Sequence, residues 1–226
     1  MKRPELIVML TYNDYTIPNA VEIFAACRES PARYWGAKEE GIDREALKTL
    51  FAAIREAGKI AVLEVVAYEE EACIRGARLA VECGCHMLLG TKYFDSVNVL
   101  CRENGIRYLP FVGSVSGRPS VLEGSAGEMV AETQDYKAKG IFGVDLLGYR
   151  YAGDSSSLCA AVLADSALPV CLAGSINSME RLCAVRSMRP DFFTIGSAFL
   201  DRCFGDDISA QIAFVCDFIR EEDKPC

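Results

Sequence analysis

The chain has one histidine, no apolar run approaching the length of a bilayer span and no excess of positive charge. Each shortage removes a class of function. A general nucleic-acid binder needs a basic face to displace counterions, whereas here 24 Lys and Arg face 32 Asp and Glu, a formal net charge of −8. A membrane-spanning helix needs roughly 20 consecutive apolar residues. At the N-terminus, Met1-Lys2-Arg3-Pro4-Glu5 leads into only the short apolar run Leu6 to Leu10, too brief for a signal-peptide core and preceded by an acid. A cytoplasmic protein is expected. The glycine-rich G-x-G-x-x-G turn is missing after the first apolar run, so a dinucleotide-binding fold lacks its main signature. No linker or low-complexity segment divides the 226 residues, a length suited to a single domain, 1–226.

What the sequence does hold is apolar residues at 51% and charged residues at 25%, the balance of a chain with a large core. Its 11 cysteines are odd in number and sparse compared with disulfide scaffolds. Most sit among apolar neighbours, as in Leu182-Cys183-Ala184 and Phe214-Val215-Cys216, where free cysteine behaves as a small hydrophobe. Reduced thiols are expected.

Short apolar runs alternate with amphipathic stretches. The strand candidates are Leu6–Leu10, Ala32–Gly36, Ile60–Val66, Met87–Leu89, Arg107–Val112, Gly143–Leu147, Pro169–Ala173 and Phe192–Ile195. They are nearly all apolar, as strands buried on both faces should be. Between them lies helical spacing: Leu47, Leu50, Phe51 and Ile54 on one face with Lys48, Arg55 and Glu56 on the other, and later Ile208, Ile212, Val215, Phe218 and Ile219. Asp43 opens one such segment and Gly58 closes it. Eight strand–helix units in one short chain predict a closed (β/α)₈ barrel of the TIM type rather than an open doubly wound sheet.

A barrel places its chemistry at the carboxyl ends of the strands. The seventh run ends in Ala173-Gly174-Ser175-Ile176-Asn177 and the eighth in Ile195-Gly196-Ser197-Ala198. Glycine lets a ligand approach the backbone, and N–H groups at a helix start, helped by serine hydroxyls, bind anions without a lysine. Gly174, Ser175, Ile176, Gly196 and Ser197 are therefore the phosphate-site candidates, with Arg150 of Gly148-Tyr149-Arg150-Tyr151 next in strand order and able to fork onto phosphate.

Two acids and two lysines are the candidates for catalysis. Glu64 lies inside the third run, in Val62-Leu63-Glu64-Val65-Val66, and Asp145 inside the sixth, in Val144-Asp145-Leu146. A carboxylate alternating with core residues is poorly hydrated, and poor hydration disfavours its charged form, which suits acid–base work near neutral pH. Lys38 follows the second run and Lys92 the fourth. A lysine at a barrel mouth is an electrostatic clamp or, if desolvated, a Schiff-base nucleophile. Tyr12, Asn13 and Asp14 after the first run offer a donor, an amide and a further acid, and the glycine-marked loop Gly113 to Gly124, with Arg118 inside it, reads as a lid.

The histidine, His86, follows Cys83-Gly84-Cys85. No second Cys/His pair at zinc spacing accompanies it, and the pattern puts it at a strand start, the face away from the phosphate candidates. Acid–base work then falls to carboxylates, lysines or tyrosines. A Mg²⁺ ion held by carboxylates leaves no spacing signature, so magnesium stays open while no other cofactor is called for.

The paired turns of Ala173-Gly174-Ser175-Ile176 and Ile195-Gly196-Ser197-Ala198 resemble the phosphate-binding motif of the ribulose-phosphate-binding barrels. These include thiamin-phosphate synthase, indole-glycerol-phosphate synthase, the phosphoribosyl isomerases of histidine biosynthesis and the 2-keto-3-deoxy-phosphogluconate aldolases. The resemblance implies an enzyme acting on a small phosphorylated keto-sugar, as a carbon–carbon lyase or an isomerase. Leu63-Glu64-Val65 is similar to the aldolases' base, but the Lys-Phe-Pro-Ala context of their Schiff-base lysine is missing, as is the Asp-x-Lys-x-x-Asp motif of the decarboxylase branch. Transaldolase-type barrels carry a Schiff-base lysine on strand four, which by analogy points to Lys92. The competing expectations are a phosphometabolite-binding barrel without catalysis and a Mg²⁺-dependent transferase handling a diphosphate. Association into homo-oligomers through the helices suits either.

Overall fold

The computed structural model describes residues 3–221. Eight parallel strands follow the expected runs: β1 (Glu5–Met9), β2 (Tyr34–Lys38), β3 (Ile60–Val65), β4 (Met87–Gly90), β5 (Arg107–Leu109), β6 (Val144–Leu146), β7 (Val170–Leu172) and β8 (Phe192–Ile195). Pairing runs from β6 through β7, β8, β1, β2, β3 and β4 to β5. The last seam, between β5 and β6, is joined by the Asp145 N–H on Pro110 O (2.8 Å) and the Val112 N–H on Asp145 O (3.2 Å). The sheet is a nearly closed (β/α)₈ barrel.

Side chains alternate along each strand, and this sorts them into two cores. Ile7, Met9, Tyr34, Val62, Met87, Leu89, Leu109, Cys171 and Phe192 pack together inside the barrel. Their strand neighbours, such as Val8, Trp35, Leu63, Leu88 and Phe193, pack outward against the helices. By the same alternation Lys38 and Glu64 share the inner face with Tyr34 and Val62. Asp145 is in register with Cys171 and points inward too.

The helices are α1 (Ala20–Cys27), α2 (Arg44–Glu56), α3 (Glu70–Glu82), α4 (Asp95–Glu103), α5 (Ala126–Ala138), α6 (Ser155–Asp165), α7 (Met179–Met188), the short α8 (Ser197–Leu200) and α9 (Ile208–Arg220). Asp43 caps α2 by accepting from the Ala46 N–H at 2.8 Å. Ser125 and Glu128 form a reciprocal capping box at α5. No described helix is long and apolar enough to cross a membrane.

Two differences from the sequence expectations bear on the site. The second strand is displaced by two residues from Ala32–Gly36 to Tyr34–Lys38, which makes Lys38 the last residue of a strand rather than part of a loop. The segment Gly113 to Gly124 is not irregular: Ser114–Ser116 and Val121–Glu123 pair as an antiparallel hairpin over the barrel mouth. The ten described cysteines are free thiols, most of them buried; Cys226 lies outside the described residues.

Candidate active site

The site grows from the top of the inner face. In the β2–β3 register Lys38 stands opposite Glu64, and its ammonium lies 3.2 Å from Glu64 Oε1. Thr16 fixes the Lys38 backbone from both sides, its Oγ1 accepting from the Lys38 N–H and donating to the Lys38 carbonyl, each at 2.8 Å.

Asp14 arrives from the β1 end. Thr11–Tyr12 and Tyr15–Thr16 form a tight hairpin whose two turn residues, Asn13 and Asp14, both have positive φ (48° and 69°). Asn and Asp tolerate that left-handed geometry better than other non-glycine residues. The turn delivers the Asp14 carboxylate to Lys38 at 2.9 Å, and it accepts both prongs of the Arg150 guanidinium at 2.8 and 3.0 Å. Arg150 reaches it from a short 3₁₀ turn, Gly148–Arg150, after β6.

The charges follow from these contacts. Burial works to raise the Asp14 pKa, but the Arg150 hydrogen bonds and the Lys38 charge outweigh it and hold the carboxyl far below its ordinary range. Burial likewise opposes charge on Lys38, yet Glu64 and Asp14 outweigh it and hold the ammonium above its ordinary value. Asp145 is fully inaccessible, and neither of its oxygens has a hydrogen-bond partner. Burial first, and then the nearby Glu64 charge, push its carboxyl well above the ordinary range. The setting of Asp145 thus favours its protonated form, close to the Lys38–Glu64 pair.

Across the barrel from β3, three and four strands away, lie the glycine–serine turns of β8 and β7. Gly174 and Ser175 have successive positive φ values of 88° and 55° and line the cavity directly after β7. A Cβ at Gly174 would come within 3.1 Å of Arg150 Cγ, so Arg150 lies directly over this turn. At Gly196 a Cβ would sit 2.6 Å from Thr11 Oγ1 and 3.2 Å from Met9 Cβ. Only glycine fits there without displacing the β1 end. Ser197 Oγ accepts from the Asn13 N–H at 3.2 Å, tying this turn to the Asp14 hairpin. Arg181 braces the other turn from behind, donating to Ser175 O and to Asn177 Oδ1 and stacking over Tyr149.

Together these groups wall a cavity of about 710 Å³ at the carboxyl ends of the strands. Lys38, Glu64, Arg150, Gly174, Ser175, Ile176, Gly196 and Ser197 line it, and Asp14 and Thr194 join them. Asp145 lies beneath the lining rather than in it. Lys92 is not brought to the site: Gly90 (φ 75°) and Thr91 (φ 65°) turn the chain away after β4, the Lys92 N–H bonds Ala67 O, and the side chain is exposed and outside the cavity. His86 sits at the far end of the barrel, its Nδ1 accepting from the Ala61 N–H at 3.0 Å. Among the described residues no group of three or more His, Cys, Asp or Glu side chains is placed to hold a metal ion.

No protein-family profile matches this chain, and no curated protein matches it in sequence. Solved structures do match it in shape. Orotidine 5′-phosphate decarboxylase from Pyrococcus horikoshii OT3 aligns with a TM-score of 0.70 at 14% identity, over 96% of this chain and 99% of that one. Ligand-free tryptophan synthase from M. tuberculosis aligns at 0.68 and 17% identity, over 97% and 94%. N-Acetylmannosamine-6-phosphate 2-epimerase from Clostridium perfringens aligns at 0.62 and 13% identity, over 87% of each chain. These likenesses establish the fold, a (β/α)₈ barrel; at such identities they carry nothing about the reaction.

Proposed function

We propose that this barrel is a cytoplasmic enzyme that moves a proton on the carbon beside the carbonyl of a small phosphorylated sugar, as an isomerase or epimerase. The observation that carries the reading is the buried Lys38–Glu64 pair, 3.2 Å apart, facing two glycine–serine turns across one cavity. The substrate phosphate would sit on the N–H groups of the Gly174-Ser175 and Gly196-Ser197 turns with Arg150 above it. Glu64 would take the proton, the Lys38 ammonium would hold the oxygen on which negative charge develops, and Asp145 would keep a proton in reach of Glu64.

The charge state of Lys38 favours this over Schiff-base cleavage. A Schiff base needs a neutral amine, and Glu64 and Asp14 hold Lys38 as the ammonium. Lys92, the other Schiff-base candidate, lies outside the cavity. Carbon–carbon cleavage through an enolate would use the same Lys38 and Glu64. A Mg²⁺ ion for diphosphate chemistry would compete with Lys38 and Arg150 for the carboxylates they now hold. Two of the three structural likenesses are to proteins named for a phosphorylated compound, which supports a phosphorylated substrate.

The test is proton exchange. Incubation in D₂O with dihydroxyacetone phosphate, ribulose 5-phosphate and fructose 6-phosphate, followed by NMR, should show deuterium entering beside the carbonyl of at least one of them. Glu64→Gln should slow that exchange by roughly 10²–10⁴. Binding of these phosphates with no exchange and no product would make the barrel a binding protein, and full exchange by Glu64→Gln would remove the glutamate from the mechanism.

A further inference from the structure

The main cavity does not end at Lys38. A second pocket of about 160 Å³ continues from it under the hairpin, walled among others by Asp14, Tyr15, Lys38, Glu39, Arg118 and Ser120. Asp14, Lys38 and Ser120 line both cavities, so the second space adjoins the first at Lys38.

Its roof is held in place. At the hairpin tip Arg118 donates to Val66 O at 2.8 Å and pairs with Glu40. The Tyr68 hydroxyl donates to Gly117 O (3.0 Å) and bonds Ser120 Oγ (2.9 Å). The charges of this pocket are largely answered internally: Asp14 by Lys38 and Arg150, Arg118 by Glu40. Glu39 differs. Its Oε1 accepts from the Val66 N–H at 3.0 Å, and it has no ion-pair partner among the described residues. A pocket whose charges largely offset one another, with Glu39 making no direct ion pair but feeling the Arg118 charge, and with a buried serine hydroxyl and a half-exposed tyrosine at its rim, suits a neutral chain of hydroxyl groups better than a second anion or a cation.

Resting on the phosphate anchorage proposed above, we infer that this pocket is a subsite for the hydroxylated end of the substrate, with Glu39 as its hydrogen-bonding residue. The enzyme then selects sugar phosphates that carry several hydroxylated carbons beyond the reacting pair over three-carbon phosphates. Burial, with the Glu64 and Glu40 charges adding to it, brings the Glu39 carboxyl to about 7, so near neutrality it can accept from one hydroxyl and donate to another.

Isothermal titration with inorganic phosphate, dihydroxyacetone phosphate, ribulose 5-phosphate and fructose 6-phosphate tests the assignment. The unmodified protein should bind at least one of the longer sugar phosphates about tenfold more tightly than dihydroxyacetone phosphate, the worth of one or two hydrogen bonds to a buried group. Glu39→Ala should reduce that preference to about threefold or less and leave dihydroxyacetone phosphate and inorganic phosphate unchanged. Tyr15→Ala, at an exposed position where folding is not at stake, should weaken the same preference. Phosphate binding without any chain-length preference overturns the subsite alone, as does a preference that survives both substitutions. Failure of the unmodified protein to bind any phosphate overturns the anchorage, and the subsite falls with it.

Discussion

Glu39 should make the barrel less stable as the pH rises from 5 to 8, and Glu39→Gln should remove that loss. Its carboxyl is raised from 4.5 to about 7, first by burial and then by the charges of Glu64 and Glu40, with the Val66 N–H opposing. Between those two values the folded chain keeps a proton that the unfolded chain has released. Stability must therefore fall as pH rises through this window, and the loss is complete above about 7. Each pH unit between the two values is worth about 1.4 kcal/mol, so the whole effect is about 3 kcal/mol. Gln has the same shape, retains an acceptor for Val66 and cannot titrate. Lys38, Asp14, Glu40 and Arg118 line the same pocket and Glu64 acts on Glu39 through its charge, but all five are common to both proteins, so the difference between them reports the titration of Glu39 together with its coupling to these neighbours. Asp14 does not intrude: its pKa is depressed, so its contribution is present at neutral pH and is lost only in more acidic solution. Urea titrations at pH 5, 6, 7 and 8, followed by the fluorescence of the buried Trp35, should show the variant gaining on the parent by about 3 kcal/mol across the series. A difference that stays flat with pH, or one in which the parent gains, would refute the reasoning.

Two further outcomes are expected. Lys38→Met should lower turnover at least about 10²-fold and destabilise the fold by about 3 kcal/mol, because Glu64 and Asp14 lose their shared cation, whereas Lys92→Ala should leave both within error; kinetics of the two variants on one exchanging substrate checks this. Gly76→Ala on α3 should destabilise by about 1–2 kcal/mol in a urea titration despite the better helix propensity of alanine, since the added Cβ would lie 2.5 Å from Val65 Cγ1 on the buried strand beneath.

The eight strands were legible because each is an apolar run closed off by turn chemistry, and β8 keeps the expected bounds, Phe192–Ile195. The glycine–serine turns and the inward carboxylates were legible for the same reason: they interrupt apolar runs. What was less legible depended on single dihedral angles. Gly90 announces a possible change of direction after β4, but nothing in the identity of Thr91 shows that it too adopts positive φ, and that second turn is what carries Lys92 out of the site. The lysine that does enter, Lys38, looked like a loop residue because Gly36 reads as a strand end, yet β2 continues past it and Met9 packs into the space its missing side chain leaves. Asp14 could be noticed as an acid after β1. Its ion pairs could not, because Arg150 lies 136 residues away in sequence. The Asn13-Asp14 pair between Tyr12 and Tyr15 is the signal that would have raised it, as a two-residue hairpin turn. Glu39 carried no signal, since its burial depends on a roof built from the β5–α5 hairpin.

The scattering of the mouth charges along the chain bears on how such a protein changes over generations. Asp14, Lys38, Glu64, Asp145 and Arg150 come from four separate stretches, and Lys38, Glu64 and Asp145 stand among neighbours whose task is packing. Those neighbours can be exchanged for other apolar residues of similar volume with little loss. Over time the letters around each charge can be rewritten while its place on the barrel rim stays fixed. Descent would then be traced better by which strand end carries which charge than by any contiguous string, which accords with a chain that aligns in space with other barrels at 13–17% identity yet matches no family profile.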